Sequence, residues 1–163
     1  MNVLSQRTKL PHGTPVWVPS GSTYFITICC QARGLDQLCN RRVADCIFEA
    51  IDFRNTEGKW RAQLFLLMPD HLHALISFPA DREMAKVVRS FKEITAKKTG
   101  VHWQSDFFDH RLRSDHEYIE KAVYVRANPV RGGLVGDQAL WPWKWECNLL
   151  NRGEPSGPAL PKA

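Results

Sequence analysis

Residues 62–78 read AQLFLLMPDHLHALISF, two apolar runs of strand length on either side of Pro69-Asp70. Proline and aspartate favour turns and interrupt a ladder, so the stretch predicts a β-hairpin with its turn at that dipeptide. Its second strand holds His71 and His73. Alternate residues of a strand leave the same face, so both imidazoles point one way with Cα atoms about 7 Å apart. Two ring nitrogens at that spacing are able to converge on one cation.

Upstream of the hairpin, residues 24–30, YFITICC, are aromatic and β-branched, lie between Gly21 and Gly34, and predict a first strand. Over residues 41–53 the apolar positions Val43, Ile47, Ala50 and Ile51 recur at helical spacing. Downstream, Met84, Val87, Val88, Phe91 and Ile94 form the apolar stripe of a second helix, with Lys86, Arg89, Lys92, Lys97 and Lys98 mostly outside it and Gly100 as its stop. FFDHRLR, after Trp103, predicts a short fourth strand. A third helix starts at Ser114, a good N-cap followed by Asp115 and Glu117, and is expected to end near Asn128, where Pro129, Gly132 and Gly133 stop or kink it. The order β-α-β-β-α-β-α predicts an α+β fold, a ferredoxin-like split βαβ antiparallel sheet with an added C-terminal helix.

The chain has 163 residues, 44% hydrophobic and 24% charged, which suits one folded domain and excludes a (β/α)₈ barrel or two full domains. Its expected organisation is an arm over residues 1–20, a single domain over 21–150, and a Pro- and Gly-rich disordered tail over 151–163. No apolar run reaches the roughly 20 residues of a membrane helix and no secretory apolar block opens the chain, so a cytoplasmic, nucleoid-associated protein is expected. Cys29, Cys30, Cys39, Cys46 and Cys147 contain no C-x-x-C pair and are read as reduced thiols. The net charge is +5, and residues 82–131 hold most of the surplus, as a nucleic-acid surface requires.

On the third helix Tyr124 and Asn128 lie one turn apart, and Lys121 shares their face. Ile119, Ala122 and Val123 are expected to pack on the sheet. Arg126 falls on that apolar stripe, so either the helix unwinds there or Arg126 leans out toward a partner.

Four stretches in this order, YFITICC, LFLLMPDHLHALI, WQSDFFDHRLR and YIEKAVYVRANPVRGGLV with its Y-x-x-x-N-P-V-R-x-G signature, followed by WPW, resemble the REP-associated tyrosine transposases. These are domesticated relatives of the single-tyrosine HUH transposases, and the likeness spans roughly residues 20–145. The resemblance implies metal-assisted cleavage and rejoining of single-stranded DNA beside a palindromic hairpin, with His71 and His73 as metal ligands. Tyr124 would be the nucleophile, forming a 5′-phosphotyrosine bond and releasing a 3′-hydroxyl, with Tyr118 ranked second. Asn128 stands at the spacing of a metal-binding Gln in insertion-sequence relatives; one methylene shorter, it would ligate directly or through water. Asp70 stands where many relatives have Asn, with no role attached.

The chemistry agrees with this reading. A phenol is a weak nucleophile at neutral pH until it is positioned or deprotonated. A divalent cation held by neutral imidazoles keeps its charge for polarising a phosphate oxygen. Mg²⁺ or Mn²⁺ fits a site completed by oxygen donors, and two imidazoles also accept Zn²⁺. Lys86, Arg89, Lys92, Lys97, Lys98, Lys121, Arg126 and Arg131 are candidate DNA contacts, and Trp103, Trp141, Trp143 and Trp145 are candidate stacking platforms for unpaired bases, with at least one of the four expected in the core instead. The expected partner is single-stranded or hairpin DNA, bound by a monomer or a homodimer. Two other readings stand beside this one. A non-catalytic ferredoxin-like module binding single-stranded nucleic acid lacks an RNP string here, and a small metallohydrolase lacks a third ligand of recognisable spacing.

Overall fold

The computed structural model describes residues 21–147, so the arm expected over 1–20 and the tail expected over 151–163 lie outside the described residues. Its elements are β1 (Thr23–Cys29), α1 (Arg41–Thr56), β2 (Arg61–Met68), β3 (His71–Ser77), α2 (Met84–Thr99), β4 (Phe108–Arg111), α3 (Asp115–Arg131), a 3₁₀ turn (Gln138–Leu140) and β5 (Lys144–Glu146). The strands form one sheet in the order β4-β1-β3-β2-β5, and every pairing is antiparallel. β1 and β2 therefore run parallel with β3 between them, the split βαβ arrangement predicted from the element order.

The hairpin forms at Pro69-Asp70, with Met68 opposite His71 and Leu66 opposite His73. One face of the sheet packs Ile26, Ile28, Phe65, Leu67, Leu72 and Ala74 against Val43, Ile47 and Ile51 of α1 and Val88 and Phe91 of α2. The other packs Phe25, Leu64, Leu66, Met68 and Leu75 against Ala122 and Val125 of α3. Covered on both faces, β2 is apolar throughout Leu64 to Met68 and β3 throughout Ala74 to Ile76, and each fully buried Leu or Phe contributes about 1.5–3 kcal/mol. Because β3 alternates, His71 and His73 fall on the α3 side.

The caps form as the sequence predicts. The Ser114 hydroxyl accepts from the Glu117 N–H, and Gly100 closes α2 at φ 80°, a left-handed conformation that suits glycine.

Three expectations are corrected. α3 does not end at Asn128 but runs through Pro129 to Arg131. A proline in the last turn forfeits one hydrogen bond, and the Gly132 and Leu134 N–H groups satisfy the carbonyls of Asn128 and Pro129. Ile119 and Val123 do not pack on the sheet; they are 59% and 61% exposed. The buried seam is Ala122, Val125 and Pro129, about a quarter turn away, because the Tyr124 ring also packs toward the sheet, a contribution that a count of aliphatic side chains omits. Lastly, a fifth strand pairs with β2, its three residues too few to carry a period-2 signal.

Candidate active site

The antiparallel register sets the row Phe108 (β4), Thr27 (β1), His73 (β3) and Leu66 (β2) across the α3 side, with Cys29 opposite His71 one step along. His71 and His73 lie with ring centroids 4.9 Å apart, nearly perpendicular.

Each imidazole is held through Nδ1. His71 Nδ1 is 2.7 Å from Asp70 Oδ1. An ionised carboxylate only accepts, so this nitrogen carries a proton, and in the neutral ring that leaves the lone pair on Nε2. His73 Nδ1 is 2.9 Å from the Thr27 hydroxyl, leaving its Nε2 likewise without that tie. His73 is only 7% exposed. Burial, together with the charges of His71, Lys121 and Arg33, pushes it down to about 3, so it is a neutral ring at physiological pH.

Asp70 is itself anchored. Its Oδ2 accepts the Gly34 N–H at 2.7 Å and lies 3.3 Å from Arg33 Nε. Burial pulls this carboxyl upward, but the Gly34 N–H, the His71 ring and Arg33 outweigh it and hold the group below its ordinary value. Gly34 adopts φ 82°, which glycine allows at little cost. The Cys30 N–H bonds the Asp70 carbonyl, and the Gln37 and Leu38 N–H groups bond the Pro69 carbonyl, so the loop after β1 braces the hairpin turn.

Tyr124 reaches the pair from α3. Its ring centroid is 6.2 Å from that of His73 and 6.2 Å from that of Phe25, which stacks on His73 at 5.3 Å. Lys121 Nζ lies 4.6 Å from the Phe25 centroid and 5.0 Å from that of Tyr124, and Arg131 Cζ lies 4.8 Å from the Tyr124 centroid. The phenol therefore stands among cations. The Asn128 amide donates to the Tyr124 carbonyl at 3.0 Å, which leaves its Oδ1 as an acceptor. Beside Tyr124, a cavity of about 330 Å³ is lined by His110, Leu112, Glu117, Glu120 and Lys121.

Other candidates are not brought to this site. Lys86, Arg89, Lys92, Lys97 and Lys98 ride on α2, in the layer across the sheet. There Lys86 pairs with Glu83 and Lys92 donates to the Ser105 carbonyl. Arg126 leans out, as one of its two readings had it, and its partner is Glu146 of β5 at 2.8 Å. Trp103 is a core residue, its indole N–H donating to Thr95, so it is the tryptophan of the four that belongs to the core and not to a stacking platform. Trp141 and Trp145 donate to the Leu67 carbonyl and to Asp52, and Trp143 packs against the core. None of the five cysteines is in a disulfide, as the reading of reduced thiols expects. Among the described residues no three His, Cys, Asp or Glu side chains group to hold a metal, and no helix is long and apolar enough to cross a membrane.

The family model for IS200-like transposases matches residues 20–120. The chain belongs to the IS200-like transposase family. Within that family it is 24% identical over 126 residues to the REP-associated tyrosine transposase of Escherichia coli K12, covering 76% of this chain and 75% of that one. A Haemophilus influenzae protein described provisionally in the same terms is 26% identical over 147 residues, covering 76% and 78%. Among solved structures, a REP-associated tyrosine transposase bound to a REP hairpin superposes with a TM-score of 0.70 at 22% identity, covering 80% of each chain. That likeness shows the fold of this transposase-family chain.

Sequence reasoning missed Phe25, Thr27, Arg33 and His110, and attached no role to Asp70. Asp70 was readable as a carboxylate adjoining the histidine pair. Phe25 and Thr27 alternate along β1, but only the strand order sets them against His73.

Proposed function

We propose that this protein cleaves and rejoins single-stranded DNA beside a palindromic hairpin, in a divalent-cation-dependent reaction with Tyr124 as nucleophile. The observation that carries this reading is the meeting, on one face and within one chain, of a phenol with two imidazoles whose Nδ1 atoms are both tied elsewhere. The REP hairpin in the superposed relative supports a hairpin as partner.

The donor set fits such an ion: two neutral nitrogens, with the Asn128 oxygen, phosphate and water to complete it. Mg²⁺ or Mn²⁺, when bound, supplies Lewis-acid polarisation of a non-bridging oxygen of the scissile phosphate. Tyr124 Oη attacks phosphorus, the bond to O3′ breaks, and the leaving oxygen becomes a 3′-hydroxyl as the phenol proton passes to solvent. The 5′ side is left esterified to Tyr124. Attack by a 3′-hydroxyl on that ester reverses these bond changes, so rejoining requires no nucleotide cofactor. Lys121 and Arg131 hold the Tyr124 ring and face the phosphate with positive charge.

The test is incubation with Mg²⁺ and a labelled single-stranded hairpin oligonucleotide, followed by denaturing electrophoresis. A denaturant-resistant protein–DNA adduct is expected, abolished in Tyr124→Phe and by chelation, with hairpin binding by Tyr124→Phe near wild type. Binding with no adduct would identify a non-catalytic module, and cut strands with no adduct a hydrolase.

A further inference from the structure

Phe108 stands on the edge strand β4 with 57% of its surface exposed. It faces the α3 side, because it pairs with Thr27, whose hydroxyl holds His73. Its ring lies 6.1 Å from that of Phe25, which is 6.2 Å from that of Tyr124, so an exposed aromatic face sits one ring removed from the phenol.

Two residues along from Phe108, on the same side of β4, His110 opens a trough that Phe108 borders but does not line. His110 and Leu112, at alternate strand positions, form one wall, and Glu117, Glu120, Lys121 and Tyr124, at i, i+3, i+4 and i+7, form the other. Its volume of about 330 Å³ is in the size class of small-ligand pockets. Glu117 Oε2 accepts from the Arg113 N–H, and Glu120 pairs with His116 at the solvent side. A phosphate in the trough would meet two carboxylates against one lysine. An uncharged base in the trough meets acceptors for its exocyclic N–H groups and apolar surface on Leu112 and Tyr124, and the exposed ring of Phe108 stands outside it on the side of the phenol.

We infer that this trough is a base subsite: it receives unpaired nucleobases of the strand being cleaved, the one next to the scissile phosphate stacking on Phe108 while the sugar-phosphate backbone stays outside. The inference rests on the proposed cleavage reaction and adds to it a place for the flanking strand. Aromatic stacking tolerates any base, so it positions the strand more than it selects sequence.

The experiment first locates the scissile phosphate by sequencing the adduct, then places 2-aminopurine or an abasic site at each nucleotide flanking it. With cation withheld to prevent cleavage, wild-type protein is expected to quench one of the two fluorescent probes on binding. Phe108→Leu should restore that probe toward the free-strand signal, and Phe108→Trp should keep it quenched. With cation present, an abasic site at the same position should slow wild-type cleavage on the order of tenfold and add nothing to the defect of Phe108→Leu. Probes that stay bright, or quenching that survives Phe108→Leu while Phe108→Trp binds normally, overturn the subsite. If the adduct forms with the unmodified hairpin, only the subsite has failed; absence of both adduct and hairpin binding removes the cleavage reading as well.

Discussion

Thr27→Val isolates what holds the more buried histidine. Valine keeps the shape and the strand preference of threonine, so β1 and its pairing should survive. What is lost is the 2.9 Å bond between the Thr27 hydroxyl and His73 Nδ1, in a ring only 7% exposed. A buried polar atom left without its partner costs about 1–3 kcal/mol, and the added methyl returns about 0.8 kcal/mol at most, so a loss of up to about 2–3 kcal/mol in folding stability is expected. The functional effect is larger. Freed at Nδ1, the ring is no longer held in one orientation, and loss of such an outer partner lowers metal affinity about 10–100-fold. Calorimetric titration with Mn²⁺ reads the affinity, urea unfolding reads the stability, and adduct yield at limiting and at saturating Mn²⁺ reads the reaction. High Mn²⁺ should rescue much of the yield, since Tyr124 is untouched. A valine variant that binds Mn²⁺ as tightly as wild type would refute the claim that this hydroxyl presents His73 to the cation.

Asp70→Ala removes the acceptor shared by the His71 ring, the Gly34 N–H and Arg33. Metal affinity should fall about 10–100-fold, and ¹⁵N NMR of the metal-free protein should show that His71 no longer holds its proton exclusively on Nδ1. An unchanged tautomer would mean that Asp70 only braces the turn. The second expectation concerns acid. Burial holds His73 at about 3 in the folded protein against an ordinary 6.5, so between those values the unfolded chain takes up a proton that the folded protein refuses. The site's full stability is present above pH 6.5 and declines toward pH 3 with a slope of about 1.4 kcal/mol per pH unit. Urea titrations between about pH 4 and 6 should show this slope flattened by that amount in His73→Gln, and equal slopes would contradict the burial argument.

Much of this protein was written locally. The hairpin followed from two apolar runs around Pro69-Asp70, the shared face of His71 and His73 from the two-residue period of a strand, and the grouping of Lys121, Tyr124 and Asn128 from the helical period. Each statement concerns one element's own axis, and short-range sterics and hydrogen bonding fix such directions without the rest of the chain. The structure decided how the faces meet. It turned α3 so that Ala122, Val125 and Pro129 touch the sheet and Ile119 and Val123 do not. It took Trp103 into the core and paired Arg126 with a strand that no periodicity announced. It also set Thr27 against His73, 46 residues away, and Tyr124 beside His73. Periodicity gives a side chain's direction from its own backbone, whereas meeting another side chain depends on strand order and helix rotation, which the packing of the whole core sets.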